Sequence, residues 1–259
     1  MFLRNTVKVI DLNGLKHAND QIVKKAVKNK VYDKGTIDGY TVTAMDGTKF
    51  FGSNKKKCTD CLTIEKDGKT HSFHSGVVMS TIGEGPTLVL DFDMYKPGED
   101  STDKDEGELS VAKRLLSEVV SRQRNVIDIV VYDALACNSV WINHCISNQV
   151  DTVVRVKKNN NNSVKEVKKK TNKMEPVEVW VDENGYKEIK VYESLFYMDN
   201  VERNLRYVKY AMKDNNNADG RRRQLSARTQ IMIVTTCLKL SLKSIYKMIR
   251  ASTTPQEIQ

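Results

Sequence analysis

Apolar positions in the first half of the chain change period from helical to alternating and back. Leu15, Ala18, Ile22, Val23, Ala26 and Val27 recur at helical spacing, which predicts an opening helix with these residues as its apolar face. Gly35 and Gly39 end it. Residues 40–45 then read as a strand that delivers Asp46, with Gly47 expected to turn the chain immediately afterwards. Residues 73–80 and 87–92 read as two further strands, joined by a turn at Gly83, Gly85 and Pro86, which makes a three-stranded meander. The helical period returns in KDEGELSVAKRLLSEVVSRQ. There Leu109, Ala112, Leu115, Leu116 and Val119 form one stripe, and Glu106 and Glu108 stand where the helix dipole favours acids.

Residues 125–132 form a nearly continuous apolar run, the mark of a strand buried on both faces, and Asp133 ends it. A short helix over 134–146 and a strand over 151–156 follow. Three strands, helix, strand, helix, strand is the order of an RNase H-like α/β fold, a mixed sheet flanked by helices, in which an acid on the first strand and one ending the fourth become neighbours. From residue 157 the texture turns polar, in KKNNNNSVKEVKKKTNK and later KDNNNADGRRRQ, and both stretches read as loops. Between them 177–181, 187–192 and 204–212 alternate as an inserted antiparallel sheet. Residues 229–236 then read as a return strand, and Leu242, Ile245, Met248 and Ile249 as a closing helix. The expected organisation is a helical lead-in over 1–33, an RNase H-like core over 34–157, a β-rich insertion over 158–227 and a return strand with closing helix over 228–259.

Composition narrows the function classes. Lys and Arg number 42 against 33 acids, a net charge of +9, which favours a polyanionic partner. No run reaches the roughly 18 apolar residues of a membrane span, and the opening residues lack the apolar block of a signal peptide. The expected setting is therefore cytoplasmic, with no membrane partner. Five cysteines, an odd number, point to reduced thiols or a metal site instead of a disulfide framework. Gly-rich phosphate loops and nucleophile elbows are missing from the sequence, so ATP-dependent and serine-hydrolase chemistry have no support.

From about residue 34 to 250 the chain resembles bacterial insertion-sequence transposases of the DDE superfamily, in the group that carries a β insertion before the last catalytic acid. The resemblance rests on the order and spacing of GYTVTAMDGTKFFGS, KKCTDCL with FHSGVV, KPGEDSTDKDEGELSVAKRLL, VVYDALACN, DTVVRVKKN and IMIVTTCLKLSLKSIYKMIRA. It implies that Asp46 and Asp133 are the first two acids of an Asp-Asp-Glu triad holding Mg2+ or Mn2+. The chemistry agrees: phosphodiester cleavage and strand transfer use two divalent ions about 4 Å apart, and such ions favour carboxylate oxygens. Asp91 and Asp93 also stand at a strand end and, without the resemblance, would be alternatives. The family pattern continues past the closing helix with Arg-Trp-x-Ile-Glu-Asn. Here Tyr246 and Arg250 fit its beginning, Gln256 stands in register with the Glu, and Glu257 is one residue off behind Pro255. The resemblance thus implies a copy truncated at both ends or degenerate, a poor or inactive transposase. A nucleoid-associated setting, element-end and target DNA as partners and a homodimer within a transposition complex are its further implications. A non-catalytic DNA-binding remnant and another RNase H-like nuclease are the alternatives.

Two other groups carry chemistry. Cys58-x2-Cys61 followed by His71-x2-His74 has the donor types and pair spacings of a tetrahedral Zn2+ site, with packing of the cysteines in a hairpin as the alternative. Cys137 and Cys145 lie two helical turns apart and read as core. Basic positions, among them Lys55 to Lys57, Lys157, Lys158, Lys168 to Lys170, Arg221, Arg222, Arg223 and Arg250, are candidates for sequence-blind contacts to DNA phosphates.

Overall fold

The computed structural model describes residues 12–98, 105–123, 126–157, 161–182, 185, 187–214 and 229–253. It is a mixed α/β protein. The chain separates into two compact units, Met1–Val131 with Arg250–Gln259, and Tyr132–Ile249. Among the described residues no helix is long and apolar enough to cross a membrane.

The first unit holds helix α1 (Leu12–Lys28), strands β1 (Val42–Ser53), β2 (Leu62–Lys66), β3 (Lys69–Thr81) and β4 (Val89–Met94), helix α2 (Glu108–Arg122) and strand β5 (Ile129–Tyr132). β3 is the organising strand. One edge pairs antiparallel with β1 from Thr81 to Ser72, while the other pairs with β2 over its first half and with β4 over its second. On its far edge β1 takes β5 in parallel, through Val42↔Ile129, Thr43↔Val130 and Ala44↔Val131. All four β5 residues are buried, as a strand covered on both faces requires. The stripe of α2 packs on β3 and β4 through Val111, Ala112, Leu115, Leu116 and Val119. Leu115 and Leu116 are fully buried, each contributing about 1.5–3 kcal/mol by leaving water.

Three local expectations change here. Gly47 does not turn the chain: β1 runs on to Ser53, so Asp46 lies within a strand. The strand β2 is additional to the expected meander. Helix α1 forms as expected but rotates. Its docked face is Lys16, Asn19, Asp20 and Val23, while Leu15, Ile22 and Val27 stay exposed. The surface it meets is polar: Asn19 donates to the Val89 and Leu90 carbonyls at 3.0 and 3.1 Å, and Lys16 pairs with Asp91. Asp20 accepts from Gln123 at 2.8 Å and pairs with Lys24, which lowers its pKa.

The second unit continues from Tyr132 through a 3-10 turn (Ala134–Ala136), helix α3 (Ser139–Ser147), strand β6 (Asp151–Arg155), helix α4 (Asn162–Thr171), strands β7 (Glu178–Val181), β8 (Lys187–Phe196), β9 (Leu205–Asp214) and β10 (Thr229–Thr235), and helix α5 (Leu242–Thr253). Its sheet order is β6-β10-β9-β8-β7, antiparallel throughout. The single helix expected over 134–146 is two pieces, because Asn138 takes an extended conformation and its side chain caps α3 by accepting from Trp141 N at 3.0 Å. The stretch expected as a loop from 157 contains α4. Val164, Val167 and Thr171 put one buried stripe on that helix, and Asn161 caps it at 3.2 Å. Trp141 anchors α3, bonding Thr152 Oγ1 at 3.1 Å and meeting the Tyr132 ring edge-on at 5.1 Å. The stripe expected of α5, Leu242, Ile245, Met248 and Ile249, is buried.

Candidate metal centres

β1 changes character at Asp46. Val42, Thr43 and Met45 are buried, whereas Asp46 is exposed and the strand from Thr48 onward lies in solvent or half in it. The parallel ladder with β5 ends at Ala44↔Val131. Asp46 stands two residues past that pair on β1, and Asp133 stands two residues past it along the chain from β5.

A second carboxylate lies against β1 at Gly47, the residue after Asp46. A Cβ on Gly47 would lie 2.6 Å from the carboxyl carbon of Glu108, the first residue of α2. A side chain would occupy the space this carboxylate fills, which explains a glycine inside a strand. Tyr95 completes the corner. Burial, then the Glu108 carboxylate that it bonds, then the charge of Asp46 hold its phenol well above the ordinary range. At neutral pH Tyr95 is therefore a hydroxyl donor to Glu108. Glu106, its neighbour in sequence, is committed elsewhere: with Asp93 it grips the Arg114 guanidinium. Asp91 is buried and held by Arg122 and Lys16. Asp91 and Asp93, the strand-end alternatives, thus sit in ion pairs with arginines.

Asp133 caps the 3-10 turn, its Oδ1 accepting from Leu135 N at 2.8 Å. Among the described residues Oδ2 has no hydrogen-bond partner. A half-exposed carboxylate held by one oxygen has its second available to a cation.

The sulfur and imidazole donors divide. Cys58 Sγ and Cys61 Sγ lie 3.2 Å apart, and His74 Nε2 lies 3.1 Å from the first and 3.3 Å from the second. These three side chains form a group that could hold a metal ion. The Cys58 N–H points at Cys61 Sγ at 3.2 Å. His71 is not in the group. Lys49 Nζ donates to its Nε2 at 2.9 Å and its Nδ1 bonds Asn54 Oδ1. An ammonium can only donate, so the Nε2 lone pair is occupied and the proton sits on Nδ1.

Of the basic candidates, Lys55 to Lys57 are exposed between β1 and β2, Lys157 is exposed after β6, and Arg250 is exposed in the last turn of α5. Lys158 and Arg221, Arg222 and Arg223 lie outside the described residues, as do Pro255, Gln256 and Glu257. Comparison with protein-family models and with curated proteins gives no match.

Proposed function

We propose that the chain is a DDE-class DNA transposase domain, built to cut DNA strands at element ends and transfer them to a target. The observation that supports this reading is the β1–β5 register: the parallel ladder ends at Ala44↔Val131, and Asp46 and Asp133 each follow two residues later along the chain. The order β4-β3-β1-β5 in the first unit, with only the last pairing parallel, supports an RNase H-like core. The antiparallel β7, β8 and β9 support the reading of 158–227 as an insertion into it.

The donor set fits magnesium. Asp46 and Asp133 offer hard carboxylate oxygens, and Glu108 lies against β1 at the next residue, Gly47. Magnesium bound there would neutralise phosphate charge and lower the pKa of an attacking water or 3′ hydroxyl. The residues do the rest. Leu135 N–H fixes one oxygen of Asp133, Tyr95 donates to Glu108, and exposed Lys157 and Arg250 hold the DNA backbone. For the sulfur and imidazole group the ion is zinc, which takes such donors in preference to magnesium.

The test is nicking of supercoiled plasmid by the purified chain in Mn2+ or Mg2+. Only weak nicking is expected, and it should vanish in Asp46→Asn and in Asp133→Asn, both of which keep the wild-type thermal midpoint. Metal-dependent nicking that survives both substitutions would overturn the assignment.

A further inference from the structure

The β1–β2–β3 extension lacks the means to hold itself together. From Asp46 to Ser53 β1 is exposed or half-exposed, and in β2 only Leu62 is buried. Phe50, Phe51 and Ile64 are 49%, 45% and 53% exposed. A three-stranded ribbon with so little covered apolar surface is marginal in water. Natural scaffolds with small cores make up the difference with a metal or a disulfide.

Resting on the zinc reading above, we infer that one ion bound by Cys58, Cys61 and His74 acts as a structural clip, with three protein ligands and a water in the fourth position, on which the order of this extension depends. The three residues tie every part of it. Cys58 and Cys61 lie on the segment between β1 and β2, and Cys61 immediately precedes β2. His74 belongs to β3 and stands opposite Phe51 of β1. The segment is thereby fixed to β3 across 13 to 16 residues of chain, a loop whose closure in advance removes disorder from the unclipped state.

The donors are nearly in place. Tetrahedral zinc, with Zn–S near 2.3 Å and Zn–N near 2.0 Å, sets the sulfurs about 3.8 Å apart and each about 3.5 Å from the imidazole nitrogen. The observed separations of 3.1 to 3.3 Å are a few tenths of an ångström short of that, so the group needs only to open slightly around an ion. Among the described residues no other His, Cys, Asp or Glu joins the group. His71, the fourth residue the spacing offers, has its Nε2 lone pair taken by Lys49.

The experiment uses the whole chain under reducing conditions, with zinc content measured after dialysis and amide hydrogen exchange followed with zinc and with EDTA. One equivalent of zinc is expected. Cys58→Ser, Cys61→Ser and His74→Ala should each weaken it by about a hundredfold or more, whereas His71→Ala leaves it within about twofold. Removing zinc should speed exchange across residues 49–75 about tenfold or more and leave α2 and β5 unchanged. Cobalt in place of zinc should give an intense tetrahedral visible spectrum that azide shifts by displacing the water. No zinc retained would overturn the zinc reading and the clip with it. One equivalent retained with no change in exchange would overturn the clip alone. Loss of zinc in His71→Ala, or a cobalt spectrum indifferent to azide, would overturn the three-ligand assignment.

Discussion

Gly47 is the residue on which the carboxylate corner turns. Its missing side chain lets the first residue of α2 bring a carboxylate against β1, so Gly47→Ala should force Glu108 out or bend the strand, destabilising the protein by about 1–3 kcal/mol. In urea unfolding, Glu108→Ala should recover much of that loss in the double variant, because the clash needs both groups. Additive effects, or a neutral Gly47→Ala, would mean that the two do not meet. Asp46 was legible in the sequence as an acid at the end of a strand and followed by glycine, but its glycine was legible only as a turn. The same residue type serves a turn and a close approach, and nothing local separates them. Glu108 was legible only as a helix-start acid, since the dipole explains such an acid without any partner. Among the zinc donors the Cys-x2-Cys spacing pointed to its pair. His71 and His74 could not be told apart, because the choice depends on the Lys49 ammonium that cross-strand packing brings to one of them.

At the scale of elements, hydrophobic period found the helices better than it found their faces. Rotation of α1 follows from what it docks against: the β4 edge offers carbonyls and a buried Asp91, and Asn19 and Lys16 answer those groups where Leu15 and Ile22 could not. Asn19→Ala should therefore cost about 1–2 kcal/mol by leaving carbonyls unbonded, while Ile22→Ser, on the exposed face, should stay within about 0.5 kcal/mol. Denaturant titration of the two variants decides it, and the reverse order would restore the face expected from period alone. Helix α4 escaped the sequence reading for the opposite reason. Its lysines and asparagines dominate the composition, yet Val164, Val167 and Thr171 suffice once β8 and β9 supply a surface to cover. The break at Asn138 was likewise hidden, because apolar residues run through it and only the cap conformation ends one element and starts the next.

Across the whole molecule the cysteines fall into two kinds, and the difference reaches stability. Cys58 is exposed, whereas Cys145 and Cys237 are buried thiols. Burial, the largest influence, pushes Cys237 from 9.0 up to about 12 and raises Cys145 as well. Tyr207 is likewise pushed by burial from 10.0 up to about 12, and Tyr210 is raised. In each case the folded form keeps a proton that the unfolded chain releases first. The thiol contribution to stability is then fully present below pH 9 and is lost as pH rises from 9 to about 12, and that of Tyr207 is lost from 10 to about 12. Each buried thiol should add up to about 1.4 kcal/mol per pH unit to that decline. Urea unfolding between pH 8 and 11 under reducing conditions should show stability flat to about pH 9 and falling steadily above it. Cys237→Ala should start from a lower value, having lost a packed sulfur, but decline less steeply by close to one proton. A profile flat to pH 11, or an unchanged slope in Cys237→Ala, would show that these groups ionise in the folded protein as readily as in the unfolded chain, so that the second unit admits water where its structure has β10 and α3 closing over sulfur.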